Sequence, residues 1–213
     1  MNLSPADSGF TWCGAPVVAL IPPILVKHCL LILSSFWLLA CGVVAADKIA
    51  PAKAVFLISG LECGSCVYMV QYTLSQTPGI TEVEVLQTLE SFAKVSFDPK
   101  IISEHQVAQA VRETSALHGT PYLASIKLRI PGYSQEGRAT LVKAAFDHWK
   151  QWVELEVWDE REGELIIHFL PLEKSAKATR PRGWSLAHLT EALQVPAPKG
   201  LGLKFQILEP GQP

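Results

Sequence analysis

The sequence predicts an α+β fold: two tandem βαββαβ units, each a four-stranded antiparallel sheet with two helices on one face, after an amino-terminal signal or anchor segment. Three observations carry that expectation. Slid on itself by 72 residues, the sequence matches in pattern without gaps: Ile80–Val85 falls on Trp152–Val157, Ala93–Phe97 on Leu165–Phe169, and Gly60 on Gly132. Within each copy, stretches of period-two alternation are interleaved with stretches of helical period. Finally, the first 46 residues hold only two charges, Asp7 and Lys27, whereas the remainder has the charge density of a globular domain.

In the first copy, Ala54–Ser59 is a short apolar run closed by Gly60, a strand. Ser65–Gln76 sets Val67, Val70 and Leu74 on one helical face, and Pro78-Gly79 ends it. Ile80–Leu86 alternates Val83 and Val85 against Glu82 and Glu84. Phe92–Phe97 turns Val95 and Phe97 inward and Lys94 and Ser96 outward. Ser103 is placed to cap a second helix with Val107, Ala110 and Val111 buried, and Tyr122–Ser125 is a last strand. This order is the ferredoxin-like arrangement. The second copy repeats it through Ile126–Ile130, Gln135–Lys150, Val153–Trp158, Glu164–Leu170, Ser185–Gln194 and Leu201–Leu208. Ten extra residues around Lys174 to Gly183 move the offset to 82, so that His188 falls on Gln106, read as an exposed helix position. Almost no linker separates the copies. The expected organisation is a 1–46 targeting segment, a 47–53 linker, domains at 54–125 and 126–208, and a 209–213 tail. A strand running on through Tyr122–Ile130, or a kink near Ser125, would hold the two domains rigidly.

His28–Ala46 has no acidic or basic residue, follows Lys27 and ends in small residues, the pattern of an export signal. Val44-Ala45-Ala46 offers cleavage before Asp47. Leu38-Leu39-Ala40-Cys41 offers a lipobox-like alternative with lipid on Cys41, and an uncleaved segment is long enough to anchor in a bilayer. The acid and the Pro22-Pro23 pair ahead of it suggest initiation near Val26. The expected location is periplasmic or secreted, with contact to a membrane only through this segment. A net charge of −2 disfavours nucleic-acid partners.

Cleavage after Ala46 leaves two cysteines, Cys63 and Cys66, separated by Gly64-Ser65. A disulfide clip there closes a tiny loop and stabilises little. A redox pair is the stronger rival, because export brings an oxidising compartment. The third reading is a metal site, in which two soft thiolates three positions apart at a helix start converge on one ion. The dipole of that helix start lowers the thiol pKa, while Glu62 opposes the effect.

The context Gly60-Leu61-Glu62-Cys63-Gly64-Ser65-Cys66, with Pro78-Gly79-Ile80 and Phe97-Asp98-Pro99 following in order, resembles the heavy-metal-associated (HMA) domain family over residues 54–125. That family includes copper chaperones, the periplasmic mercury-binding protein and the amino-terminal modules of metal-pumping ATPases. The resemblance implies a non-enzymatic protein that captures or transfers a soft ion through Cys63 and Cys66. Cu(I) and Hg(II), which accept two ligands, come first. Zn(II) and Cd(II) come second; Glu62 is either an added oxygen ligand for them or a solvated loop carboxylate. The implied partner is a metal-transporting membrane protein or another thiolate donor or acceptor. A thiol–disulfide redox protein, or an adaptor docking a membrane transporter, are the alternatives.

Accessory groups are weighed against plainer readings. His118, in the loop after the second helix, is either a solvated loop histidine or a third ligand. Tyr122 either shields the site or is ordinary core. Glu82/Glu84 and Glu154/Glu156 read as solvent faces of strands, and His148, His168 and His188 as unrelated to the site. The second copy has Gln135 and Arg138 where the cysteines stand, and so no thiolate site. Trp149, Trp152, Trp158 and Trp184 read as core or as an interface patch.

Overall fold

The computed structural model describes residues 50–173 and 180–210. The targeting segment with both of its exits, and positions 174–179 of the ten-residue insertion, lie outside the described residues. Among those described, no helix is long and apolar enough to cross a membrane.

The first half runs β1 (Ala52–Ser59), α1 (Gly64–Ser75), β2 (Ile80–Leu86), β3 (Phe92–Phe97), α2 (Glu104–Arg112) and β4 (Leu123–Arg129). The second half continues with α3 (Arg138–Asp147), β5 (Val153–Asp159), β6 (Glu164–Phe169), the short α4 (Leu186–Leu189) and β7 (Gln206–Ile207). All pairings are antiparallel, and they join seven strands into one sheet in the order β2-β3-β1-β4-β6-β5, with β7 also on β4. The fold is thus an α+β antiparallel sheet with interleaved helices.

The predicted strands Tyr122–Ser125 and Ile126–Ile130 are one strand, β4. Its first residues, Leu123–Ser125, pair with β1, while Ser125–Arg129 pair with β6 along the opposite edge. A boundary between 125 and 126 therefore falls inside a strand. Beyond Ser125 the β1 edge of β4 is taken over by β7, through Leu128 and Arg129.

Alternation sorts the two faces as the sequence implies. Ala54, Phe56 and Ile58, Ala124, Ile126 and Leu128, and Leu165, Ile167 and Phe169 are buried in one continuous core together with Val70, Leu74, Val107, Val111, Val142 and Phe146 from the helices. The other face is ionic: Glu164 takes Arg129 at 2.6 Å and Lys127 at 3.1 Å, Glu156 meets His168 at 2.7 Å, and Lys94 meets Glu209 at 2.7 Å. Ser96 lies on this face, but contrary to expectation it is buried; its small hydroxyl sits below longer neighbours and donates to Glu82 at 3.1 Å.

Three further corrections have local causes. The helix expected over Gln135–Lys150 begins only at Arg138, because Gly132 and Gly137 take positive φ and Gly137 is its N-cap. The helix expected over Ser185–Gln194 is a single α-turn followed by a π-helical turn, Thr190–Gln194. The strand expected over Leu201–Leu208 shrinks to Gln206–Ile207. Here the amides of Leu201 and Leu203 donate to the Ala192 and Leu193 carbonyls at that helix's end, which leaves them unavailable to the sheet.

Helix α2 also departs from expectation. Ser103 caps it in a full capping box with Gln106, but Glu104, His105, Gln106 and Gln109 are buried along with its apolar residues. The described residues on either side of the insertion, 169–172 and 180–184, bond to them. Gln106 accepts the Arg182 N–H at 2.9 Å, Gln109 accepts the Leu172 N–H at 3.0 Å, and Arg112 donates to the Phe169 carbonyl at 2.6 Å. His105 bridges the Leu170 carbonyl at 2.7 Å and the Trp184 N–H at 3.2 Å. Gln106 is therefore a polar clasp between the two halves, and its supposed exposure is overturned. Each of these bonds joins a side chain of α2 to a backbone group of the second half.

Candidate metal centre

The site is built where β1 enters α1. Gly60 adopts φ +85°, and a Cβ there would stand 2.8 Å from the Pro121 carbonyl oxygen, so glycine is required both for the turn and for the close approach of the second loop. Leu61 is buried, and its carbonyl accepts from the Gln87 side chain at 3.3 Å, fixing the loop that follows. Cys63 is the N-cap residue of α1, in extended conformation, and its carbonyl receives the first helical amides, those of Cys66 and Val67.

This geometry brings the two sulfurs to 3.3 Å, with Cys66 fully buried and Cys63 half-buried; both are free thiols. The Cys66 backbone N–H, then the Cys66 thiol and the Ser65 amide, hold the Cys63 thiol below its ordinary pKa, outweighing the desolvation that pushes the other way.

His118 faces this pair. Its Nε2 lies 3.4 Å from Cys63 Sγ, and the three ligand atoms of Cys63, Cys66 and His118 are all within 4.8 Å of one another. His118 is an exposed loop residue that also makes this specific contact with Cys63. Tyr122 sets the loop. It is buried, its hydroxyl accepts the Leu117 N–H at 3.3 Å, and burial followed by its bond to the Cys66 sulfur raises its pKa, so it stays a neutral donor. Tyr122 is at once core and lining. Its role as a strut was not visible in the sequence; the one available signal was its position directly after Pro121, two residues beyond Gly119.

The remaining candidates fall elsewhere. Glu62 is exposed and outside the three-residue group. His188 accepts the Ser185 N–H at 3.1 Å as a helix cap, and His168 pairs with Glu156. Gln135 and Arg138 fold over Gly132, with the Arg138 guanidinium 2.6 Å from where a Cβ would be. Trp184 is fully buried, with Trp149 and Phe169 packed edge-on to it. Trp158 is exposed with Lys127 over its ring at 5.3 Å. The tryptophans thus divide between core and surface.

Two thiols and an imidazole are soft to borderline donors, suited to Cu(I), Zn(II) and their heavier relatives. With metal–sulfur bonds of about 2.3 Å, two thiolates on a three-coordinate ion stand roughly 4 Å apart. An ion would therefore spread the sulfurs by well under 1 Å. A side chain at Gly64, between them, would point into open space.

Fold and site together define a ferredoxin-like α+β protein with a Cys-x-x-Cys dithiol at a helix amino terminus and a histidine facing it. No protein-family model matches the sequence, and none of the curated proteins does. Among solved structures, the chain is similar to the water-soluble region of the P-type ATPase CopA from Bacillus subtilis, at 17% identity over 74% of this chain and 91% of that one, with a TM-score of 0.33. It is also similar to the N-terminal soluble domains of Bacillus subtilis CopA, at 19% identity over 74% and 94%, with a TM-score of 0.29.

Proposed function

We propose that this protein captures a soft metal ion on Cys63 and Cys66 and passes it to another thiolate site, without catalysing a reaction. The observation that carries this reading is the pair of free sulfurs 3.3 Å apart at the start of α1, one buried and one half-exposed. A buried ligand holds the ion, and a half-exposed one lets a partner's thiolate reach it. Cu(I) and Hg(II) suit so small a donor set best, and Zn(II) or Cd(II) would need water or the partner to complete four ligands. The resemblance of the Gly60–Cys66 loop to heavy-metal-associated domains supports the same reading. It also points to a metal-transporting membrane protein or a second thiolate protein as the partner. The charge-poor segment before Asp47 supports export to a periplasmic or extracellular setting, by release or by anchoring.

Titration of the reduced protein with Hg(II) or Cd(II) tests the reading, because thiolate-to-metal charge transfer absorbs in the ultraviolet. The band is expected to saturate at one ion per chain. Its absence would leave the dithiol without a metal role.

The lowered pKa of Cys63 and its contact with Cys66 also favour a second reading, a redox pair. Insulin reduction separates the two: stoichiometric thiol consumption fits the metal role, and repeated turnover with added reductant fits the redox one.

A further inference from the structure

Building on the dithiolate reading above, we propose that His118 is the third and displaceable donor of this site: it completes the coordination of the bound ion, and it is the ligand that an incoming thiolate replaces.

The placement is specific. His118 is 55 positions from Cys63 in sequence, yet its Nε2 is 3.4 Å from Cys63 Sγ and within 4.8 Å of both sulfurs. Its loop is held from both ends of the site. The buried Tyr122 hydroxyl accepts the Leu117 N–H at 3.3 Å, and Gly60 lets the Pro121 carbonyl approach the metal loop. Among the described residues no fourth Cys, His, Asp or Glu joins the group. The donor set is therefore two sulfurs and one nitrogen, enough for a three-coordinate soft ion such as Cu(I).

The same geometry makes His118 the ligand that leaves. A histidine that holds a metal permanently donates its second ring nitrogen to a carboxylate or carbonyl, which locks the ring. Among the described residues, the only hydrogen-bond partner of His118 is Cys63 Sγ, and the side chain is exposed. Nothing locks its ring. Exposure falls from His118 to Cys63 to Cys66, so an approaching partner meets the nitrogen first. In the exchange, the partner's thiolate sulfur bonds to the ion while the ion–Nε2 bond breaks. The imidazole leaves neutral with its lone pair, no proton moves, and the ion keeps its oxidation state and its three ligands. Cys63 is the next to be replaced, and Cys66 the last.

The test uses the full chain in mild detergent, with Cys13, Cys29 and Cys41 replaced by Ser throughout, reduced and loaded anaerobically with Cu(I). X-ray absorption is expected to show two sulfurs and one nitrogen in the wild type and loss of the nitrogen in His118→Ala. Cu(I) should bind that variant about tenfold more weakly, still at one ion per chain, and transfer to dithiothreitol several-fold faster. Adding free imidazole to His118→Gly should restore the nitrogen and slow the transfer. Identical ligand sets and identical transfer rates in wild type and His118→Ala would overturn the role of His118 while leaving the dithiolate intact. A wild type that binds no ion would instead overturn the dithiolate reading, and this inference with it.

Discussion

The Leu117 backbone N–H donates to the Tyr122 hydroxyl at 3.3 Å, across the loop that carries His118. Because Tyr122 is fully buried, one core side chain anchors the loop that carries His118. Tyr122→Phe keeps the ring in the core and removes only that strut. We expect a loss of about 1 kcal/mol in stability, the ordinary worth of such a bond. Urea denaturation should show a lower midpoint with an unchanged slope. In the loaded protein the same substitution should weaken the nitrogen contribution of His118, since its loop is no longer tethered to the core through Leu117.

The clasp over α2 makes stability depend on pH. Burial first, and then the nearby Arg112 charge, hold His105 below its ordinary value of 6.5, against the raising effect of the Leu170 carbonyl. The neutral ring accepts the Trp184 N–H and donates to Leu170, so a second ring proton would have to face a donor. The unfolded chain thus takes up its proton at a higher pH than the folded one. The stabilisation is fully present above pH 6.5 and declines as the pH falls from there through the folded pKa, with a slope of at most about 1.4 kcal/mol per pH unit. The difference between unfolding free energies at pH 8 and pH 5.5 should shrink in His105→Gln. An equal difference in both proteins would show that another group carries it.

The first half was legible because its signals are local. Ser103 announced a cap, Gly60 and Pro78-Gly79 marked turns, and the alternation of β2 and β3 survives in their registry, Val83 opposite Val95. The self-match placed β5 and β6 equally well. What the sequence hid was tertiary. Gln106 read as surface because polar residues usually are; only the folded chain brings the Arg182 amide to it. Leu201–Leu208 had strand pattern, but its amides were already taken by the end of the preceding helix. In the site, the spacing of Cys63 and Cys66 was plain at once, whereas His118 gained its meaning from a loop packed against β1 through Gly60 and Pro121.

Glu62 precedes Cys63 directly and had been the natural candidate for an oxygen ligand. It is exposed, and the three-residue ligand group does not include it. Glu62→Thr should accordingly leave Zn(II) and Cu(I) affinities changed alike, with a small gain in both as a negative charge leaves the neighbourhood of the thiolates. Isothermal titration with Zn(II), and competition with a Cu(I) chelator, measure the two. A tenfold loss confined to Zn(II) would show that the carboxylate reaches the ion.

The capture of an ion by Cys63 and Cys66 is tested most directly by elemental analysis. Reduced full-length protein with Cys13, Cys29 and Cys41 replaced by Ser, incubated anaerobically with Cu(I) and desalted, is compared with the same protein carrying Cys63→Ser/Cys66→Ser at equal concentration. The expected result is one tightly held ion per chain that keeps Cys63 and Cys66 and none on the variant, with matching far-ultraviolet circular dichroism to show that both are folded. Equal metal content in the two folded proteins would place the ion elsewhere and contradict the assignment.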